Sequence, residues 1–253
     1  MEYRFEEIQT DDSSLAQIVE LMKACFPESD KFTVDFLKWQ YADNPAGKVH
    51  GFNAFLGDEL AGHYATIPVD YIFDGNEVKG LLSLNTATHP DHQGKGLFSR
   101  LAQHTYESAV KKGFEFVIGV ANANSTPGFE RRLEFEIVQQ LDVYIGQGSF
   151  KRTNNDYNIR ASHSKEFFEW RLSNPAEDYQ VTEDYVTTVR KFKSMHPVLS
   201  MNHGLVPNGK ISARKMWIGA DPHFVKKGIF TALPDKLKPS PLNLMFKDLT
   251  DKK

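Results

Sequence analysis

Apolar positions along the chain fall into runs with two periods. Tyr3, Phe5 and Ile8 mark a first strand. Leu15, Ile18, Val19, Leu21, Met22 and Phe26 then recur at helical spacing behind the caps Asp11, Asp12 and Ser13, and Pro27 stops that helix. Thr33 caps a second helix carrying Phe36, Leu37, Trp39 and Tyr41, and Asn44-Pro45-Ala46-Gly47 breaks it. Gly51 to Leu56 and Leu60 to Val69 form a hairpin about Gly57-Asp58, followed by a turn at Asp74-Gly75-Asn76. Leu81 to Thr88 is an uncharged strand, and Leu97 to Lys112 an amphipathic helix with a stop at Gly113. Phe114 to Val120 is a short strand, Phe129 to Leu133 a short helix, and Phe135 to Ile145 one further strand. The pattern predicts an α/β chain built on a mixed sheet.

Between the strand ending at Thr88 and the helix starting at Leu97 lies His89-Pro90-Asp91-His92-Gln93-Gly94-Lys95-Gly96. The first N–H groups of a helix have no partner within it, and with the helix dipole they form an anion site. Gly94 and Gly96 let successive N–H groups converge on one concavity, and Lys95 adds charge. The loop is no Walker motif, since Ser or Thr does not follow Gly-Lys, and it lacks the dinucleotide fingerprint G-x-G-x-x-G.

Gln93-Gly94-Lys95-Gly96-Leu97 resembles the acyl-CoA loop, Q/R-x-x-G-x-G/A, of the GNAT N-acetyltransferases, with Phe98 where a small residue is usual. The strand order over about residues 1–147 resembles that fold too: fourth and fifth strands splay apart to admit the pantetheine arm. The resemblance implies acetyl-CoA as co-substrate. Gln93, Gly94, Lys95, Gly96, Leu97 and Phe98 would hold its pyrophosphate, Ala87 or Thr88 would offer an N–H to the thioester oxygen, and Asn122 and Asn124 would touch its far side. The family often places a Tyr in the helix after the fifth strand as the acid for the leaving thiolate, and a Glu on the fourth strand as base. Here the first position is Phe129, and no acidic residue lies between Leu81 and Thr88. The remaining candidates are His63 as base, Asn85 acting through water, and Tyr64 as proton source.

The set "NPAG … GHYA.IP … THPDHQGKGLF" resembles acetyltransferases encoded with surface-polysaccharide enzymes, which implies an amino sugar, free or nucleotide-linked, as acceptor. Another small amine, a protein amine, and a non-catalytic acyl-CoA-binding module stand as alternatives.

An internal echo organises the second half. Asp35-Phe36-Leu37-Lys38-Trp39-Gln40-Tyr41 before Asn44-Pro45-Ala46 recurs as Glu166-Phe167-Phe168-Glu169-Trp170-Arg171-Leu172 before Asn174-Pro175-Ala176. It predicts a GNAT domain over 1–147, a polar linker over 148–159, and a degenerate GNAT-like lobe over 160–253 that lacks a CoA loop.

Composition narrows the classes. Thirty basic against 33 acidic residues give a net charge of −3, with no basic field for nucleic acid. There is no long apolar run for a membrane span, and the acidic N-terminal stretch has no signal-peptide character. With Cys25 alone no internal disulfide forms, which fits a cytoplasmic setting. No metal is expected, the partners are acetyl-CoA and a small amine, and a homodimer is left open.

Overall fold

The structure, a computed structural model, describes residues 2–152, 159–162, 164–201, 204–211, 213–221, 224–238 and 240–250. Strand β1 (Arg4–Glu7) leads into helices α1 (Asp12–Cys25) and α2 (Val34–Tyr41). The Asp11 carboxylate accepts the Ser14 N–H and the Thr33 hydroxyl accepts the Phe36 N–H, so both helices start at capped ends. Leu15, Ile18, Met22, Leu37 and Tyr41 are fully buried on one side of the sheet.

Strands β2 (His50–Leu56), β3 (Glu59–Phe73) and β4 (Asn76–Thr88) form an antiparallel meander. Its second turn places Asp74 and Gly75 at φ 46° and 84°, the pair of positive angles a tight hairpin demands. Helix α3 (Leu97–Lys111) crosses to β5 (Phe116–Ala121), which runs parallel to β4. Leu97, Leu101, Ala102 and Ala109 pin α3 to the other side of the sheet. Helix α4 (Thr126–Leu133) and β6 (Glu136–Gln140) follow.

The expected single strand over 135–145 is two. The chain breaks at Leu141, and β7 (Asp142–Arg152) leaves the first sheet for a second one. That sheet also holds β9 (Tyr179–Val181), β10 (Tyr185–Thr188), β11 (His196–Met201), β12 (Lys215–Gly219) and β13 (Phe224–Ala232). A short β8 (Ile159–Ala161) edges β3, helix α5 (Lys165–Leu172) follows, and β14 (Asn243–Asp248) returns to the first sheet between β5 and β6.

The two sheets share one pairing scheme. With β1 set aside at the edge of β2 and β8 at β3, the first runs β2-β3-β4-β5-β14-β6 and the second β9-β10-β11-β12-β7-β13. In each, the third and fourth strands are parallel and every other pair is antiparallel. The echo therefore marks two lobes of one pairing order with exchanged strands: each half donates its last strand to the other's sheet. The reading of 148–159 as linker is corrected, because β7 runs to Arg152 and β8 starts at Ile159; residues 153–158 lie outside the described residues. The 1–147 and 160–253 boundaries likewise do not follow the pairing, since β7 serves the second lobe and β14 the first. Where the first lobe has α3 between its parallel strands, the second has no helix among the described residues between Met201 and Lys215.

The echoed helices meet. The Trp39 and Trp170 rings stack 4.8 Å apart at 15°, and each indole N–H donates to the other's backbone carbonyl, at 2.7 and 2.8 Å. Asn44 and Asn174 do the same local job, each side-chain oxygen accepting the N–H two residues on, at 3.1 and 3.0 Å.

Candidate active site

The site grows from a failure of pairing. Strands β4 and β5 are joined only from Gly80–Phe116 to Ser83–Gly119, and beyond that rung they part. The cause lies in β4: Asn85 takes φ 47°, and the β3–β4 register slips between His63 and Ala65. A bulge of this kind bends a strand away from its neighbour. From Leu84 to Thr88 the outer edge of β4 therefore has no strand beside it among the described residues. The His89 N–H donates to Ala61 O on β3 at 2.9 Å. Because successive N–H groups alternate between edges, the Thr88 N–H faces the cleft and the Ala87 N–H faces β3. Of the two expected thioester contacts, only Thr88 is oriented for the role.

At the end of β4, Pro90–His92 form one 3-10 turn, and Gly94 and Gly96 both sit at φ 74°. Gly96 is the left-handed N-cap of α3 and carries no side-chain cap, so the first-turn N–H groups point outward unmasked by a side chain. A Cβ on either glycine would meet no atom within 4 Å. These glycines serve backbone angle and open approach rather than packing. The Lys95 ammonium donates to Asp91 O at 2.9 Å, which folds it over the turn.

The two departures from the family pattern pack together. Phe98 meets Phe129 edge-on at 5.6 Å, and Phe129 meets Phe135 edge-on at 5.1 Å. A Cβ on Gly128 would lie 3.3 Å from the Phe98 ring, so a large residue at 98 and a glycine at 128 suit each other. Asn122 and Asn124 follow β5 on the opposite rim and are exposed. The Asn122 side-chain oxygen is engaged locally, accepting the N–H groups of Asn124 and Ser125 at 3.0 Å, so it holds the turn into α4.

His63 is corrected as a general base. It is fully buried, and its Nδ1–H donates to Asn53 Oδ1 at 2.6 Å while Nε2 accepts the Tyr41 hydroxyl at 2.9 Å. Burial pushes its pKa down to about 3. With both nitrogens committed and no exposure to solvent, it holds the tautomer of a network instead. That network continues: Asn85 Nδ2 donates to Tyr41 Oη at 3.0 Å and to Gln40 Oε1 at 2.6 Å. The chain Asn53–His63–Tyr41–Asn85–Gln40 thus ties the bulge to α2. Tyr64 is also enclosed. Its hydroxyl shares hydrogen bonds with Ser83 Oγ (3.0 Å) and Tyr106 Oη (2.6 Å), and burial raises its pKa to about 12. It braces the last β4–β5 rung from the α3 side, which sets it against the expected role of proton source. Sequence reading missed Gln40, Tyr41 and Asn53 as partners of the bulge; the echoed F-x-x-W helix was the signal that its helix mattered.

On the α2 side, a cavity of about 390 Å³ abuts the point where the strands part. Leu82, Leu84 and Ile118 floor it, Trp39 and Gln40 come from α2, and Phe167, Trp170 and Arg171 come from α5 of the second lobe. The glycine loop leads into α3 on one face of the sheet, and this cavity lies on the α2 face. Among the described residues, no helix is long and apolar enough to cross a membrane.

A sequence profile described as "Acetyltransferase (GNAT) domain" matches residues 7–138. No curated protein matches the chain. Among solved structures it is similar to a conserved protein of unknown function from Enterococcus faecalis, described as a probable N-acyltransferase (TM-score 0.64, 11% identity, covering 98% of this chain and 73% of that one). It is similar to a GCN5-related N-acetyltransferase from Anabaena variabilis (TM-score 0.58, 11% identity, 98% and 73% covered). It also resembles the Saccharomyces cerevisiae N-myristoyltransferase with bound myristoyl-CoA (TM-score 0.61, 10% identity, 96% and 82% covered). With the profile spanning just over half of the 253 residues, the chain belongs to the GNAT acetyltransferase family and is an acyl-CoA-dependent acyltransferase.

Proposed function

We propose that the protein transfers an acetyl group from acetyl-CoA to the primary amine of an amino sugar, free or nucleotide-linked. The observation that carries the transfer is the parting of β4 and β5 beyond Ser83–Gly119, with the open glycine loop at one end and the 390 Å³ cavity behind it. The N–H groups over Gln93–Phe98 receive the pyrophosphate, and the free edge of β4 pairs with the pantetheine amides. The Thr88 N–H donates to the thioester oxygen as negative charge develops there.

The acceptor nitrogen attacks the carbonyl carbon from the cavity side. The C–S bond then breaks, the thiolate leaves with the electron pair, and the nitrogen loses one proton. Asn85, held by Gln40 and Tyr41, is the polar side chain at the bulge and orients the amine or a water that takes its proton. Proximity across the opening supplies much of the rate, so no strong protein base is required.

Support for a sugar is the character of the cavity: aliphatic and aromatic walls, with Gln40, Asn44, Asp70, Ser162 and Arg171 at its edges. A pyranose has apolar faces and hydroxyl edges of that kind. The test is thiol release from acetyl-CoA with a panel of amino sugars, nucleotide-linked amino sugars, diamines and peptides. Turnover with a sugar amine at a kcat/KM well above the diamines and peptides is expected; a preference for peptides or diamines overturns the sugar reading. Tight CoA binding without turnover of any amine overturns the enzyme reading of this site in favour of a binding module.

A further inference from the structure

The turn that leads into the glycine loop carries a second constellation. His89 and His92 stand three residues apart at the ends of one 3-10 turn, where side chains at that spacing eclipse. Their rings lie 5.8 Å apart. Glu59, first residue of β3 beside the Gly57-Asp58 turn, reaches toward both: its Oε1 is 3.3 Å from His92 Nε2 and 4.0 Å from His89 Nδ1, a nitrogen that accepts the Asp91 N–H at 3.3 Å and would exchange that bond for the ion. One ligand atom from each of the three lies within 4.8 Å of the others. Tetrahedral zinc, with bonds near ~2.1 Å, needs ligand atoms about 3.4 Å apart, so side-chain movements of about 1 Å or less close the set.

The other nitrogen of the most buried ligand is held as a metal-bound imidazole requires. His92 is 5% exposed, and its Nδ1 lies 2.8 Å from the Tyr3 hydroxyl. With Nδ1–H donating to that oxygen, the Nε2 lone pair faces Glu59. The Asp91 carboxylate, 3.8 Å from His89 Nδ1 and exposed, is the remaining acidic group at the turn.

We propose that Glu59, His89 and His92 form a divalent-cation site of the Zn²⁺, Co²⁺ or Ni²⁺ class, two imidazoles and one carboxylate with room for water. Nitrogen-rich sets of this type favour those ions over Mg²⁺ and Ca²⁺. The ion staples the β2–β3 turn to the segment that ends in the phosphate-binding glycines. None of the three residues lines the acceptor cavity, and the site does not depend on which amine is acetylated.

The test uses tag-free full-length protein and Co²⁺ or Zn²⁺ alone, by titration calorimetry and by the visible absorption of bound Co²⁺. One equivalent is expected, with affinity falling at least tenfold in Glu59→Gln and in His89→Ala. Both side chains are partly exposed, and thermal melts check that the variants keep the wild-type fold, His89 also capping the turn through the Asp91 N–H. His104→Gln, a histidine packed on Phe5 and Phe52, leaves binding unchanged. Absence of stoichiometric binding, or equal binding in wild type and both variants, overturns the assignment and leaves a histidine–carboxylate ion pair.

Discussion

Gly94→Glu puts one negative charge into the glycine loop, and the structure isolates its effect. Gly94 sits at φ 74°, and a Cβ there meets nothing within 4 Å. Any side chain therefore costs only the backbone penalty of the left-handed region, about 1 kcal/mol, which Gly94→Ala carries alone. The carboxylate introduced by Gly94→Glu adds repulsion toward a diphosphate. At a separation of about 6 Å and an effective dielectric near ~40, two unit charges interact by about 1.4 kcal/mol, so two phosphate charges give about 3 kcal/mol. That converts to roughly a hundredfold loss of affinity. The assay is calorimetric titration of desulfo-CoA into wild type, Gly94→Ala and Gly94→Glu, with folding checked by thermal melts. The expected order is a few-fold loss for the alanine variant and roughly a hundredfold for the glutamate variant, shrinking as salt is raised. A folded Gly94→Glu protein that binds with wild-type affinity refutes the assignment of the loop to the pyrophosphate.

Other parts of the structure make their own predictions. His63 is held neutral with its pKa pushed down to about 3, below its unfolded value of 6.5, so unfolding takes up a proton between those pH values. Its contribution is complete above pH 6.5 and is lost as pH falls toward 3, at up to about 1.4 kcal/mol per pH unit. Denaturant melts of His63→Asn should lack that slope, and an unchanged slope would count against a buried neutral imidazole. Tyr41→Phe removes the hydroxyl between His63 and Asn85, and should cost about 1–3 kcal/mol in chemical unfolding while lowering kcat more than it raises KM for acetyl-CoA; loss of stability with unaltered kinetics would detach the network from catalysis. Truncation after Leu242 removes β14 from between β5 and β6, and should leave the first lobe without cooperative unfolding; an intact melt for residues 1–242 would contradict the strand exchange.

The local signals of this chain were strong where one residue type answers one backbone need. Asp11 and Thr33 cap their helices, Asp74-Gly75 makes a hairpin turn, and Gly94 and Gly96 take positive φ in the turn before α3. The glycine loop proposed to hold phosphate was legible as a βα turn for the same reason: its geometry is carried by contiguous backbone. The echo of Phe-x-x-Trp before Asn-Pro-Ala was legible as repetition, but its meaning was not. Only the folded chain shows Trp39 and Trp170 face to face, and β7 and β14 exchanged between sheets. Strand order depends on partners distant along the chain, and an alternating pattern fits either sheet equally well. His63 shows the same limit on chemistry: an imidazole on a strand reads as a base until burial, Asn53 and Tyr41 occupy both nitrogens. The elements and the glycine loop between β4 and α3 could be read from the residues in order, because neighbours a few positions away set them. The side chains that line the cavity beside β4 could not, because they come from two halves of the chain and are brought together by exchanged strands and one stacked pair of tryptophans.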